Sequence, residues 1–425
     1  MTLYLIAFAV FLVLGVPIAL SLGLASLSYL VFTGNLALML AFPQKLIAGI
    51  DNFVLLTIPF FVLAGNLMNA ANLTQQIVRL AQMLVGRVRG GLAAVTVVAS
   101  MLFSGVSGAA TAEASALGSI MIPAMKRAGY PAAYAAALTA TGSLLGPLVP
   151  PSLSLILYGV LTGTSIGDLF LAGILPAFLL CGLLIVYTLV KGRRDGHPLS
   201  EVLPANERNR AILNALPALF LPVIIVGGIR SGAVTPTEAA AVAAIYALLV
   251  GLFFYRSLSL KQIKDAFYET ATMSAGVMLV VAMASMTSFI LGIENIPQNI
   301  AQGLLEITDS PVLLILLLNL IILILGFFLE PLAALVLAMP ILNLLAPVIG
   351  MDPVQFGVMI VLNLMIGMIT PPVGLCLFIV SAIGRVSVDK VTRAALPMIA
   401  ICIVVLMAVA FVPAVSLTLP MIFGR

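Results

Sequence analysis

The sequence predicts an all-α polytopic membrane protein built as an inverted repeat, with two re-entrant hairpins and two broken helices. Of its 425 residues, 63% are apolar and 8% are charged, and apolar stretches recur along the whole chain. Such a chain cannot be a water-soluble domain, so it crosses the bilayer several times. A motif that occurs twice, and charges of opposite sign in equivalent segments, predict the two halves.

The motif consists of Glu, Pro, Gly and a GxxxPP run, in that order. Its first copy is Glu113, Pro123, Gly129 and Gly146–Pro151, and its second copy is Glu330, Pro340, Gly350 and Gly367–Pro372. The copies are 217 residues apart at the Glu and Pro positions and 221 apart at the others, which indicates a four-residue insertion. Paired irregular segments in an apolar chain are the best sequence signal of a transport site.

The longest polar segment, residues 191–210, carries five basic residues against three acidic ones. By the positive-inside rule it is a cytoplasmic linker. It separates a first repeat, residues 1–190, from a second repeat, residues 211–425. We expect its single histidine, His197, to be solvated.

Equivalent segments of the two halves carry opposite charge. Residues 70–91 contain Arg79, Arg87 and Arg89 without an acid, whereas residues 292–311 contain Glu294, Glu306 and Asp309 without a base. If both segments are loops, the two halves lie upside down relative to each other, as in many secondary transporters.

The crossings follow from a length of about 20 residues per span. Single helices are predicted near residues 2–16, 17–33, 51–70, 211–229, 236–255, 265–291 and 394–415. Residues 35–50 are predicted to form an interfacial arm. With the broken helices and a span before the linker, the prediction is about ten crossings with both termini in the periplasm.

Residues 92–123 lie between basic segments, so both of their ends are cytoplasmic, yet they are too few for two crossings. They are predicted to form a re-entrant hairpin with its tip in Ser104–Thr111. Residues 312–348 lie between Asp309 and Asp352 and are predicted to enter from the opposite face, with a tip near Gly326–Glu330. Bare backbone at membrane depth is tolerated only inside protein or along a wet cavity.

Each hairpin precedes a helix that must break, over residues 131–163 and 353–383. Two consecutive prolines remove two backbone donors in each helix. The break exposes carbonyl groups at one half-helix end and amides at the other, so it can hold a cation and an anionic substrate group. Sodium is the expected cation, because backbone and hydroxyl oxygens suit a hard ion and no His or Cys cluster competes.

The predicted sodium and substrate region comprises the tips and the breaks. Its residues are Ser104, Gly105, Ser107, Gly108, Thr111, Gly146, Pro150, Pro151, Gly326, Glu330, Thr370, Pro371, Pro372 and Gly374. The second tip has almost no hydroxyl groups, so an identical twin site is not expected. For Glu113 and Glu330, two roles stay open: each caps the second helix of its hairpin, or each couples transport to an ion or a proton.

Four segments resemble the large membrane subunit, of the DctM or SiaM type, of the tripartite ATP-independent periplasmic (TRAP) transporters. They read DNFVLLTIPFFVLAGNLM, FSGVSGAATAEASALGSIMIPAM, KRAGYPAAYAAAL and GPLVPPS. The resemblance implies an elevator-type sodium symporter of the bacterial inner membrane that imports an organic acid, such as sialic acid, a C4-dicarboxylate or a keto acid. It also implies two partners, a small four-helix membrane subunit on a separate chain and a soluble periplasmic binding protein.

Other classes fit less well. A channel needs a continuous polar stripe, whereas the polar residues here cluster at two points. Without a Walker motif, HExxH or a catalytic acid and base pair, an enzyme is not predicted, and nor is a cofactor, a transition-metal site or a nucleic-acid partner. Two alternatives stay open: a stand-alone sodium/carboxylate symporter, and proton coupling through Glu113 or Glu330.

Overall fold

The computed structural model describes residues 2–34, 36–86, 90–197, 205–308 and 310–423. Every regular element in these ranges is a helix, which confirms the all-α prediction. Arg87, Arg89, Asp309 and residues 198–204 of the predicted linker lie outside the described residues.

The helices of the first half run to the start of the linker. They are α1 (Thr2–Val13), α2 (Ile18–Phe32), α3 (Leu36–Met39), α4 (Ala41–Ile50), α5 (Thr57–Ala70), α6 (Leu73–Val85), α7 (Gly91–Ser107), α8 (Ala110–Arg127), α9 (Ala132–Gly142), α10 (Leu153–Thr162) and α11 (Ile166–Arg194). Short 3₁₀ turns precede α5, at Phe53–Leu56, and follow α9, at Ser143–Leu145.

The second half has ten helices among the described residues. They are α12 (Ala205–Arg230), α13 (Pro236–Leu249), α14 (Leu260–Ile293), α15 (Ile296–Ile307), α16 (Pro311–Phe328), α17 (Pro331–Ile349), α18 (Pro353–Gly367), α19 (Leu375–Gly384), α20 (Val388–Phe411) and α21 (Pro413–Phe423). Proline is the first residue of several of them, where its missing N–H costs no helical bond.

Eight helices in the described ranges are long and apolar enough to cross a membrane. Six of them are single crossings from the predicted set, and the other two are α16 and α17, the arms of the second predicted hairpin. The shorter helices α1 and α2 and the two broken helices would complete ten crossings. Because length alone does not separate a hairpin arm from a crossing, that number stays a prediction.

The segments read as charged loops, residues 70–91 and 292–311, contain the helices α6 and α15, so their assignment as loops was wrong. The physical reason is amphipathicity. In α6, Leu73, Ile77 and Ala81 recur at helical spacing and are buried, whereas Arg79 is exposed. Charged residues therefore mark the outer face of a surface helix here.

Two groups of helices position the centre of the molecule. In the first group, α5 packs against α13 and α14, and α14 also contacts α2 and α4. In the second group, α8 and α9 pack against α19, and α16 packs against α18. Contacts of α7 with α5, and of α17 with α10 and α14, bring the ends of both predicted hairpins to one central region.

The helix starts define the register of the repeat. Helix α17 begins 221 residues after α8, at Pro331 against Ala110, and α18 begins 221 residues after α9, at Pro353 against Ala132. No insertion separates these elements, so the pairing of Glu113 with Glu330 was wrong. Glu113 is the fourth residue of α8, whereas Glu330 immediately precedes α17, about one helical turn away in register.

The expectation that His197 is solvated was also wrong. Its side chain is only 8% exposed, and its ring centroid lies 4.4 Å from that of Tyr130 and 5.6 Å from that of Tyr134. The tyrosines follow α8 and begin α9, so the contact fixes the chain after α11 to the segment between α8 and α9. The single sequence could not show this contact, because its partners are more than 60 residues away.

This contact makes stability depend on pH. Burial lowers the pKa of His197 below its usual value; Asp195 opposes the shift and Lys191 adds to it. The neutral ring therefore contributes stability that is complete above the usual imidazole pKa of about 6.5 and is lost as the pH falls through the lowered value. We expect the melting temperature of the wild type to fall more than that of His197→Gln between about pH 7.5 and about pH 5.

The comparison is clean because the chain has one histidine. Thermal melts in the same detergent, at constant ionic strength, measure the difference between the two pH profiles. Equal slopes for the wild type and His197→Gln would show that the buried ring does not control this dependence.

Candidate functional site

Both predicted tips and both predicted breaks contribute to one small central cavity of about 30 Å³. Its lining includes main-chain and side-chain atoms from the first tip, the first break, the second tip, the end of α18 and α14: Gly108, Ala109, Ala110, Thr111, Pro147, Leu153, Ser154, Glu330, Pro331, Leu332, Met365, Met368 and Met273. A cavity of this size holds about one water molecule or one ion.

The first tip is held directly against the first break. Helix α7 ends at Ser107, Gly108 has a φ of +64°, and α8 begins at Ala110. A Cβ atom at Gly108 would lie 2.3 Å from the main-chain oxygen of Pro151, so only glycine fits this approach. The N–H of Leu153 donates to the Gly108 oxygen at 3.4 Å and joins the two segments.

The hydroxyl groups predicted for the first cage point to different places. Ser104 Oγ donates to the Ser100 oxygen at 2.6 Å and lies 3.4 Å from Glu113 Oε2, away from the central cavity. Thr111 lines the central cavity, and Ser107 lines a second cavity beside it. Gly105 packs against α12, because a Cβ atom there would lie 2.4 Å from Pro222 Cγ.

Glu113 is fully buried and does not cap α8. The residue at the N-cap position is Ala109, and no side chain caps this helix. Glu113 Oε1 has no hydrogen-bond partner among the described residues, and a Cβ atom at Gly146 would lie 2.7 Å from Oε2. The carboxyl group therefore lies directly behind the first break.

The first break is buried throughout. After the 3₁₀ turn, residues Gly146–Pro151 connect to α10, and the Pro150–Pro151 peptide bond is cis. Ser152 caps α10: its Oγ accepts from the Leu155 N–H at 3.2 Å and donates to the Pro147 oxygen. The serine thus satisfies polar groups that the prolines leave open.

The second tip has a different chemistry. Glu330 caps α17, since its Oε2 accepts from the N–H groups of Leu332 at 3.0 Å and Ala333 at 3.3 Å. Gly326 lies against α18, where a Cβ atom on Gly367 would be 2.5 Å from the Gly326 carbonyl carbon. The capping role is confirmed for Glu330 and wrong for Glu113.

The second break lies apart from the central cavity. Thr370 Oγ1 donates to the Ile366 oxygen at 2.7 Å, the Pro371–Pro372 bond is cis, and both prolines are exposed. Gly374 has a φ of +62° and precedes α19. Met365 and Met368 face the cavity instead, so the second half offers fewer polar side chains than the first.

Two amides on α5 were missed by the sequence reasoning. Asn66 and Asn69 line the second cavity, of about 40 Å³, together with Ser107 of the first tip and Met273. Asn66 Nδ2 donates to Thr270 Oγ1 at 3.1 Å, and Asn69 Oδ1 accepts from Thr74 Oγ1 at 3.0 Å. The available signal was two amides, three residues apart, in an otherwise apolar span.

The fold and this centre define a multi-pass membrane transporter whose hairpin tips and helix breaks meet at a buried point. The chain belongs to the family described as "Tripartite ATP-independent periplasmic transporter, DctM component", whose profile matches residues 5–415. It is a TRAP large permease and a bacterial inner-membrane protein, and it is not an enzyme.

Relatives match over nearly the whole chain. The sialic acid TRAP transporter large permease protein SiaM of Vibrio cholerae is 43% identical over 96% of both chains. The C4-dicarboxylate protein DctM of Pseudomonas aeruginosa is 40% identical over 94% of this chain and 93% of its own length. The isethionate permease protein DctMQ of Oleidesulfovibrio alaskensis is 40% identical over 98% of this chain and 65% of its own.

Solved structures share the fold at low identity. The Neisseria gonorrhoeae efflux pump MtrF has a TM-score of 0.63 at 14% identity, with 90% of this chain and 85% of that chain covered. The Alcanivorax borkumensis YdaH transporter has a TM-score of 0.64 at 14% identity, with 92% and 90% covered. At such identity, only the fold is shared.

Proposed function

We propose that this chain is the transport subunit of a sodium-coupled secondary transporter that imports an organic acid by an elevator mechanism. The single observation that carries the proposal is the meeting of both hairpin tips with the first break and the end of α18 at the central cavity. Irregular backbone at such a point supplies carbonyl oxygens to a cation and amides to an anion.

The substrate class follows from the relatives and from the lining. Sialic acid, C4-dicarboxylates and isethionate, the substrates in the relatives' names, all carry an anionic group. Neither small cavity is lined by Lys or Arg among the described residues. An acid group would therefore be bound by amides and hydroxyls, for which Asn66, Asn69 and Ser107 are the candidates.

Sodium coupling is supported by the oxygen-rich first half. Ser104, Ser107, Thr111 and the main chain of the first break supply hard oxygen ligands. In the second half, main-chain oxygens and Thr370 would serve. The buried first break and the exposed second break favour a stronger sodium site in the first half.

Movement is supported by the size of the cavities. Volumes of about 30 and 40 Å³ are far below that of an organic acid, so substrate can bind only when the surfaces around Met273 separate. In the elevator mechanism, both hairpins and both broken helices move as one body against α5, α13 and α14.

The family description "tripartite" implies two further components. We propose a small four-helix membrane subunit on a separate chain and a soluble periplasmic binding protein that delivers the substrate. Two relatives extend beyond the matched region, since this chain covers 65% and 67% of them, which is consistent with fusion of a further component there.

Reconstitution in liposomes tests the proposal. The chain is incorporated with and without its two partners, and uptake of labelled sialic acid, succinate and isethionate is measured with an inward sodium gradient. We expect uptake of one acid only with both partners and only with sodium. Uptake by the chain alone would establish the stand-alone symporter, and uptake driven by a proton gradient without sodium would establish proton coupling.

A further inference from the structure

A polar cavity of about 300 Å³ lies between α6 and the start of α12, away from the tips and breaks. It is lined by Gln76, Arg79, Glu207, Arg210, Ala211 and Asn214. Two guanidinium groups face one carboxylate, so the lining carries a net positive charge. No ion pair joins Arg79 or Arg210 to a carboxylate in the part of the chain that the structure describes.

The amides of this cavity are organised around the two arginines. Asn214 Nδ2 donates to Gln76 Oε1 at 3.3 Å and holds α12 to α6. This bond uses the carbonyl oxygen of Gln76, so its NH₂ group remains a donor. The Asn214 main-chain oxygen accepts from Tyr255 O–H, which fixes the first turns of α12. Together with two guanidinium forks, this arrangement suits a phosphate group.

The neighbouring surface is apolar and faces outward. Leu213 is 58% exposed and Phe220 is 55% exposed, on a helix long enough to cross the bilayer. Both lie within about a quarter turn of Arg210 on the face of α12. The cavity is at the end of this span that follows the predicted cytoplasmic linker, which is the depth of lipid headgroups in the inner leaflet.

We propose that this cavity binds the headgroup of an anionic phospholipid, with its phosphodiester between Arg79 and Arg210 and its acyl chains along α12. The apolar face favours a lipid over free phosphate, because a soluble anion would gain nothing from Leu213 and Phe220. Anionic lipids of the cytoplasmic leaflet bind basic groups at this depth with a gain of about 1 kcal/mol per Lys or Arg.

Native mass spectrometry of the purified full-length chain in detergent tests the proposal, with phosphatidylglycerol and phosphatidylcholine at equal concentration. We expect the wild type to retain phosphatidylglycerol, and Arg79→Gln/Arg210→Gln to lose the preference by about tenfold or more. Arg210→Lys keeps the charge but not the fork, so an intermediate preference is expected.

The control is Lys264→Gln, which removes one exposed cation from the start of α14. Tyr255, nine residues earlier, contacts Asn214, so Lys264 lies on the same side of the molecule. We expect it to keep the wild-type preference. Melting temperatures of all variants in phosphatidylcholine establish that each is folded.

Three results would overturn the proposal. The first is equal retention of the two lipids by the wild type. The second is an equal loss of preference in Lys264→Gln and the double variant, which would show attraction to net charge alone. The third is release of phosphatidylglycerol by inorganic phosphate but not by chloride at the same ionic strength, which would show a site for phosphate itself.

Discussion

Gly108→Ala is expected to abolish substrate uptake while the protein remains folded in the membrane. Gly108 has a φ of +64°, and a methyl carbon there would lie 2.3 Å from the main-chain oxygen of Pro151. The left-handed backbone alone costs alanine about 1 kcal/mol. The overlap with Pro151 is the larger effect, because a main-chain oxygen cannot rotate away as a side chain can.

Relief of this overlap requires the first tip to separate from the first break. A displacement of about 1 Å at a site with fixed geometry costs on the order of a hundredfold in rate. The tip and the break together line the central cavity, so both cation and substrate binding depend on their contact. Uptake into liposomes, normalised to the amount of protein incorporated, measures the loss.

The matched control is Gly163→Ala. Gly163 ends α10 with a φ of +72°, but a Cβ atom there has no neighbour within 4 Å. This variant therefore carries the backbone strain without the overlap, and we expect it to keep most of its uptake. If Gly108→Ala and Gly163→Ala transport equally well, the close approach of the tip to Pro151 is not required.

Local chemistry made the centre of the fold predictable. Small residues such as Ser107 and Gly108, and consecutive prolines such as Pro150 and Pro151, limit the backbone wherever they occur. The first helix pair therefore meets within the predicted tip, between Ser107 and Ala110. The helices around the two GxxxPP runs likewise begin and end close to the predicted positions.

Long-range packing decided the features that were missed. His197 is buried by tyrosines from another segment, and α6 was hidden by the charges on its outer face. The Glu residues were paired by their distance to a proline, yet the helix starts follow the glycine register. Only the structure separates Glu330, whose oxygen accepts main-chain N–H groups, from Glu113, which lies behind the first break.

That separation leads to the second large effect, at Glu113. A buried carboxylate without a cationic partner is costly, by several kcal/mol, unless a bound cation or a proton neutralises it. Glu113 is 0% exposed, and none of the ion pairs among the described residues includes it. Its Oε2 lies against Gly146, which belongs to the predicted sodium cage.

Glu113→Gln is therefore expected to lower the apparent affinity for sodium by at least about tenfold. A unit charge within about 8 Å of the ion contributes about 2 kcal/mol at an effective dielectric constant of about 20, and glutamine removes it at nearly constant volume. The initial uptake rate as a function of sodium concentration measures the effect, and high sodium should restore transport. Glu306→Gln, which removes an exposed carboxylate from α15, is the control and should keep the wild-type curve. An unchanged sodium curve in a folded Glu113→Gln protein, with loss only of the pH dependence of uptake, would instead assign Glu113 to a proton.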